Sequence, residues 1–143
     1  MSSIERIAEQ ICGQIRHEME GRAFVAANEL RNASLEVLRG QRGGRIYTVP
    51  GTKQKYQASA PGQPPAVRTG MFRLSWKPTA AVMFGSYISR IESDLKVGTR
   101  RQYVLGDLLE NGTTKMAPRP YQDKILEKAE PEIVRIYERD YNI

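Results

Sequence analysis

One apolar stripe constrains everything else about this chain. Ile4, Ile7, Ala8, Ile11, Ile15, Met19, Ala23, Ala26, Leu30, Ala33, Val37 and Leu38 recur at spacings of three and four. That is the period of an α-helix. The spacing predicts a single helix over residues 4–38, about 50 Å long and some threefold longer than a typical globular helix. Ser3 reads as its N-cap, and Arg6 at the third helical position forgoes a capping box. Gly21, which costs about 1 kcal/mol relative to alanine, is where the helix would bend or break. Gly40 ends it, and the following QRGGR reads as flexible. In a chain of 143 residues, a helix this long cannot bury its whole stripe against so small a remainder. The rest of the stripe needs another chain or a very elongated domain.

The length suits one domain, 1–143, able to build a core without disulfide or metal. Three segments are expected: a long helix in 1–40, an extended arm or loop in 50–70, and a mixed segment in 71–143. Arg45–Val49 reads as a short strand stopped by Pro50-Gly51. Gly51–Gly70 holds Pro61, Gly62, Pro64 and Pro65 and almost no large apolar residue. The expectation is an arm without regular structure that orders only against a partner. Thr69 would cap a short helix over Gly70–Trp76, stopped by Pro78. Ala80–Phe84, Tyr87–Glu92 and Leu95–Val97 read as strands, and Gln102–Leu109 as a short helix ended by Asn111-Gly112. The last helix covers residues 121–139, kinked or restarted at Pro131. The class is therefore α+β: a long N-terminal helix and a C-terminal helix packed on one small antiparallel sheet of three or four strands.

Charge is unevenly spread. Lys and Arg number 22 against 16 Asp and Glu, for a net +6. Between Glu36 and Glu92 there is no acid, while Arg39, Arg42, Arg45, Lys53, Lys55, Arg68, Arg73, Lys77 and Arg90 fall there. Such a one-sign interval calls for an opposite partner, either nucleic acid or an acidic protein surface, unless it is simply a solvated basic face.

Little in the chain carries chemistry. A single cysteine, Cys12, excludes internal disulfides and multi-cysteine metal sites, and it reads as a small buried residue beside the stripe. The single histidine, His17, excludes multi-histidine sites and reads as solvated. Gly40, Gly43 and Gly44 lack the ending of a phosphate loop. Gly98-Thr99-Arg100-Arg101 is a weak phosphate-binding signal. Glu92, Asp94, Asp107 and Glu110 do not have calcium-loop spacing, and a metal-dependent nuclease built on them ranks last among the readings. No catalytic residue, cofactor or metal is expected. There is no zinc finger, stacking motif or basic recognition helix, so contact with DNA through Tyr47, Tyr56, Lys53 or Lys55 would be nonspecific. No apolar run of roughly 18 residues spans a membrane, and the first ten residues lack a signal pattern, so cytoplasmic synthesis is the expectation.

Two segments are more specific. Ala58–Trp76 (ASAPGQPPAVRTGMFRLSW) carries a Pro-Gly-x-Pro-Pro run, then Thr69-Gly70 and a short helix. Val97–Leu126 carries Val97-Gly98-Thr99, Tyr103, Glu110, Gly112-Thr113 and the turn Pro118-Arg119-Pro120-Tyr121. Together they resemble the neck and tail-completion proteins of long-tailed bacteriophages and prophages. That family often has an aromatic where Asn111 stands here. The resemblance implies a structural head–tail joining role, not an enzyme. It implies a ring, six or twelve subunits, in the virion neck or head-proximal tail, made in the host bacterial cytoplasm. Its implied neighbours are connector, tail-terminator or tail-tube proteins, with nonspecific contact to genomic double-stranded DNA. Tyr56, Pro61, Gly62, Pro64, Pro65, Thr69 and Gly70 would then form an interaction arm. Arg42, Arg45, Lys53, Lys55 and Arg68 would face a DNA channel or a docking partner. Glu110, Gly112, Thr113, Pro118, Arg119, Pro120 and Tyr121 would form a structural turn, with Tyr121 buried against Leu108, Leu109 or the N-terminal helix. The alternative is a small nonspecific nucleic-acid-binding protein of prophage origin.

Overall fold

The computed structural model describes residues 2–40 and 42–141. Gln41, in the expected flexible segment, lies outside them. Helix α1 spans Ser3–Val37 as one unbroken element across Gly21. Its cap corrects the expectation by one residue. Ser2, not Ser3, is the N-cap, and this puts Glu5 at the third helical position, where the two close a capping box. The hydrogen bonds from Ser2 hold the Glu5 carboxyl below its usual range.

Helix α4, Gln122–Glu138, runs through Pro131 without a break and lies along the second half of α1. The buried face of α1 there is Ala23, Ala26, Ala27, Leu30, Ala33 and Ser34. Small side chains on that face let neighbouring elements approach closely. One neighbour is α4, through Ile125, Ala129 and Ile136. The other is the hairpin of β3 (Lys77–Met83) and β4 (Ser86–Glu92). Ser89 Oγ donates to the Ala23 carbonyl at 2.6 Å and pairs with the Tyr137 hydroxyl at 3.0 Å, joining hairpin, α1 and α4. Pro78 lies inside β3, allowed because a two-stranded ladder leaves every strand with a free edge.

The single sheet expected from the sequence is instead three separate two-stranded ladders. β1 (Ile46–Thr48) pairs with β2 (Lys55–Gln57), and β5 (Lys96–Val97) pairs with β6 (Tyr103–Val104). Each ladder is a local antiparallel pair, so none needs a long-range partner. Tyr103 and Val104, read as part of a helix starting at Gln102, pair with β5, and helix α3 begins later, at Leu105–Asn111. Helix α2 is only Met71–Leu74, capped by Gly70 at φ 83° rather than by Thr69. The Thr69 hydroxyl still accepts from the Met71 N–H, at 3.4 Å. The α+β class, with long first and last helices flanking small antiparallel ladders, stands.

The core is built around three aromatics. Phe72, Trp76 and Tyr121 meet edge to face, with centroids 5.6 to 5.7 Å apart. Leu30, Ala33, Leu38, Ile125 and Ala129 close around them. Tyr121 is 1% exposed. It is buried as expected, but its ring partners are Phe72 and Trp76, contributed by the segment around α2, with Leu109 only at the margin.

Candidate functional site

The turn before α4 is held by side chains from several elements. The first four N–H groups of a helix have no partner within it. In α4, Glu110 of α3 supplies one: its Oε2 accepts from the backbone N–H of Tyr121 at 2.9 Å and of Gln122 at 3.3 Å. A carboxylate there also suits the positive end of the helix. Gly112 has φ 77°, and a Cβ on it would lie 2.8 Å from Pro118 N. Thr113 Oγ1 accepts from the N–H groups of Lys115 and Met116. The Arg119 N–H donates to the Leu109 carbonyl, and Arg119 Nη1 to the Ala117 carbonyl. Tyr121 Oη donates to the Gly106 carbonyl at 3.0 Å. Burial, with Glu110 and Asp107 nearby, pushes the Tyr121 phenol up to about 12.

The arm is not without regular structure, contrary to the expectation. Its first part is β2, where Tyr56 stacks on Tyr47 at 6.0 Å, and the chain then folds back onto the body. Gly62 N–H donates to the Pro118 carbonyl at 3.2 Å. Lys124 Nζ donates to the Gly62 carbonyl at 3.3 Å. Ser59 and Pro65 are buried, while Pro61 and Thr69 are exposed. Backbone carbonyls and amides serve here as anchors, because the arm has little apolar surface to bury.

Arg42 departs from the exposed role given it. Its Nε donates to the Pro64 carbonyl and its Nη2 to the Val37 carbonyl, both at 2.7 Å. It ties the arm to the end of α1, and burial lowers its pKa. Arg73 does the same to the Leu35 carbonyl, and Arg31 to the Trp76 carbonyl. Arg90 pairs with Glu92. The basic interval therefore splits. Some arginines clamp carbonyls, while Arg39, Arg45, Lys53, Lys55, Arg68 and Lys77 face solvent.

Between arm, α2, β5 and the α3–α4 turn lies an open cleft of about 750 Å³. Its floor is apolar, with Leu38, Phe72, Leu105 and Leu109, and its basic residues are Arg68, Arg73, Lys96, Lys115 and Arg119. No acid lines it. The cleft unites Tyr56, Pro61, Pro65, Thr69 and Gly70 of the arm with Arg68 and with Arg119 of the turn. Arg42, Arg45, Lys53 and Lys55 do not line it. Lys96 and Lys115 were missed in the sequence reading. Lys115 sits in the second resembling segment and Lys96 just before it, and only the fold turns them towards the arm.

A second cleft, about 560 Å³, includes Glu92, Asp94 and Asp107 with Trp76, whose Nε1 is buried without a hydrogen-bond partner. Among the described residues no group of three or more His, Cys, Asp or Glu is placed to hold a metal. His17 is exposed, and so is Cys12, against the expectation that it is buried.

Cys12 is exposed because α1 has no cover from its start through Gln14. Burial on α1 begins at Arg22. Arg22 donates to the carbonyls of Tyr137, Arg139 and Asp140 and lies 4.2 Å from the Tyr141 ring. It thereby marks the level at which α4 ends. Beyond it Ile4, Ile7 and Ile11 are 79%, 57% and 42% exposed. The β3–β4 tip is also bare: Phe84 is fully exposed, at φ 52°. No family model, curated protein or solved structure matches this chain. Among the described residues no helix is long and apolar enough to cross a membrane.

Proposed function

We propose that this chain is a structural subunit of a phage neck or tail-completion ring, without catalytic activity of its own. It would join the DNA-filled head to the tail, in the virion neck or head-proximal tail. The observation that carries the reading is the uncovered half of α1, whose isoleucine stripe is exposed in the single chain. An apolar stripe of that length marks a contact with another protein. The resemblance of Ala58–Trp76 and Val97–Leu126 to the neck and tail-completion family supplies the class of assembly. The ring of six or twelve subunits, the connector and tail neighbours and the bordering DNA channel belong to the same proposal. Particles produced without this protein test it: filled heads and finished tails should accumulate unjoined. Normal joining in its absence would sink the reading.

The exposed Arg45, Lys53 and Lys55 on and beside the β1–β2 hairpin favour a second reading, a nonspecific nucleic-acid-binding protein of prophage origin. That reading expects the purified chain to bind duplex DNA of any sequence, with an affinity that falls steeply as salt is added.

A further inference from the structure

Asn111-Gly112 is the chain's one Asn-Gly pair; the other asparagines precede Glu29, Ala33 and Ile143. An asparagine followed by glycine is the sequence most open to attack by the next backbone nitrogen on its own side chain. Glycine has no Cβ to block the approach and adopts most backbone conformations. Here the pair closes α3, and Asn111 is exposed to the water that the reaction consumes.

The fold stands against that attack. Gly112 is the C-cap of α3, and its N–H donates to the Leu108 carbonyl at 2.9 Å. A nitrogen engaged with Leu108 is not free to meet Asn111 Cγ. Gly112 also has little room to move. At φ 77°, a Cβ on it would lie 2.8 Å from Pro118 N and 2.9 Å from the Met116 carbonyl oxygen. The Arg119 N–H, bonded to the Leu109 carbonyl at 2.6 Å, fastens the far side of the same turn. Yet α3 has only seven residues, and the end of so short a helix opens at small cost.

We propose that Asn111 is a site of spontaneous covalent modification, gated by local opening of the α3–α4 turn. With the turn open, Gly112 N bonds to Asn111 Cγ and the Cγ–Nδ2 bond breaks. The Gly112 N–H proton passes through solvent to Nδ2, which leaves as ammonia. Water then opens the five-membered imide at either carbonyl, giving isoaspartate or aspartate. Both products put a new carboxylate beside Glu110, whose own carboxylate accepts from the first N–H groups of α4. Isoaspartate also carries the main chain through the former Cβ, one atom longer, where the packing around Gly112 leaves no slack. The change is therefore one-way, and it loosens the joint between α3 and α4. This inference is independent of the neck reading.

Full-length protein held in mildly alkaline buffer, native or unfolded in urea, tests it. Peptide mass mapping follows loss of Asn111, and an enzyme that methylates only isoaspartate identifies the product. The unfolded chain should convert Asn111 ahead of Asn28 and Asn32. The native chain should convert the same residue about ten to a thousand times more slowly, equal to about 1.4 to 4.1 kcal/mol of local opening. In native chains isolated after conversion, the Arg119 and Tyr121 amides should exchange hydrogen about tenfold faster or more. Conversion of Asn28 or Asn32 as fast as Asn111 in the unfolded chain would overturn the site. Native conversion at the unfolded rate, none at all, or conversion slowed by the full global unfolding constant from denaturation would each overturn the gating turn. Unchanged amide exchange in the converted chain would overturn the loosening.

Discussion

Tyr121 shows how one side chain can carry several obligations. It fills the aromatic core, its N–H is taken by Glu110, and its hydroxyl reaches the Gly106 carbonyl. Replacing it by phenylalanine keeps the ring and removes the bond its hydroxyl makes to that carbonyl of α3, which should cost about 1 kcal/mol at neutral pH. The same burial makes a pH prediction. The phenol is pushed from 10.0 to about 12 in the folded chain, so the unfolded chain loses its proton first. The contribution is fully present below pH 10 and is lost as pH rises through 12, amounting to about 2–3 kcal/mol. Denaturation of wild type and Tyr121→Phe from pH 7 to 12 should show the wild-type advantage shrinking over that window and not below it. At the β3–β4 tip, Phe84 occupies a left-handed conformation that costs a non-glycine residue about 1–2 kcal/mol. It is fully exposed, so Phe84→Asn should raise stability by about 1 kcal/mol in the same assay. Arg42→Lys should cost about 1–3 kcal/mol, since one ammonium cannot span both carbonyls as the guanidinium fork does. A silent result would return Arg42 to the solvent-facing role first expected of it.

Among the elements, α4 carries the clearest conflict between local preference and tertiary context. Pro131 lacks an N–H and its ring crowds the carbonyl four residues back, yet the helix continues through it. Burial of Ile125 and Ala129 before the proline and of Ile136 after it holds both halves on the body. Pro131 itself is exposed, so Pro131→Ala removes the conflict without touching that packing. It should raise unfolding free energy by up to about 3 kcal/mol, measured by chemical denaturation. The three ladders follow a different rule. Each is closed by a nearby turn, and each packs a separate part of the molecule, so the strands never had to align into one sheet. The α3–α4 turn shows the tightest link between local sequence and tertiary contact. Glu110, Gly112 and Thr113 satisfy backbone donors and allow a close approach that larger residues would block.

At the scale of the whole molecule, α1 does two unrelated things. Its second half is the spine of the core, and its first turns, through Gln14, are exposed in the single chain. Deleting residues 1–16 should therefore leave the unfolding free energy of the body unchanged within about 0.5 kcal/mol. It should also keep the chain out of assembled particles, read by whether the truncated protein is incorporated. A large loss of stability in the truncated chain would mean that the projecting half supports the body. The basic interval divides in a similar way. Buried or half-buried arginines serve the fold, and only the exposed remainder is available to a partner.

Much of this molecule was legible in its sequence, wherever the signal is local and periodic. The stripe at three-and-four spacing located both long helices, and the strands on either side of Gly85 were read as strands, while β2 and β6 were not. The excess of stripe over available cover pointed to the uncovered half of α1. Periodicity reports which residues share a face, and that depends only on neighbours along the chain. Tertiary structure alone decided which faces meet. It separated the strands into three ladders, drew the proline-rich arm onto the α3–α4 turn, and turned Arg42 and Arg73 inward onto carbonyls. It also gathered Arg68, Lys96, Lys115 and Arg119 around one apolar floor. Those outcomes depend on contacts between residues far apart in sequence, where charge and hydrophobicity name what can pair but not which partner lies within reach.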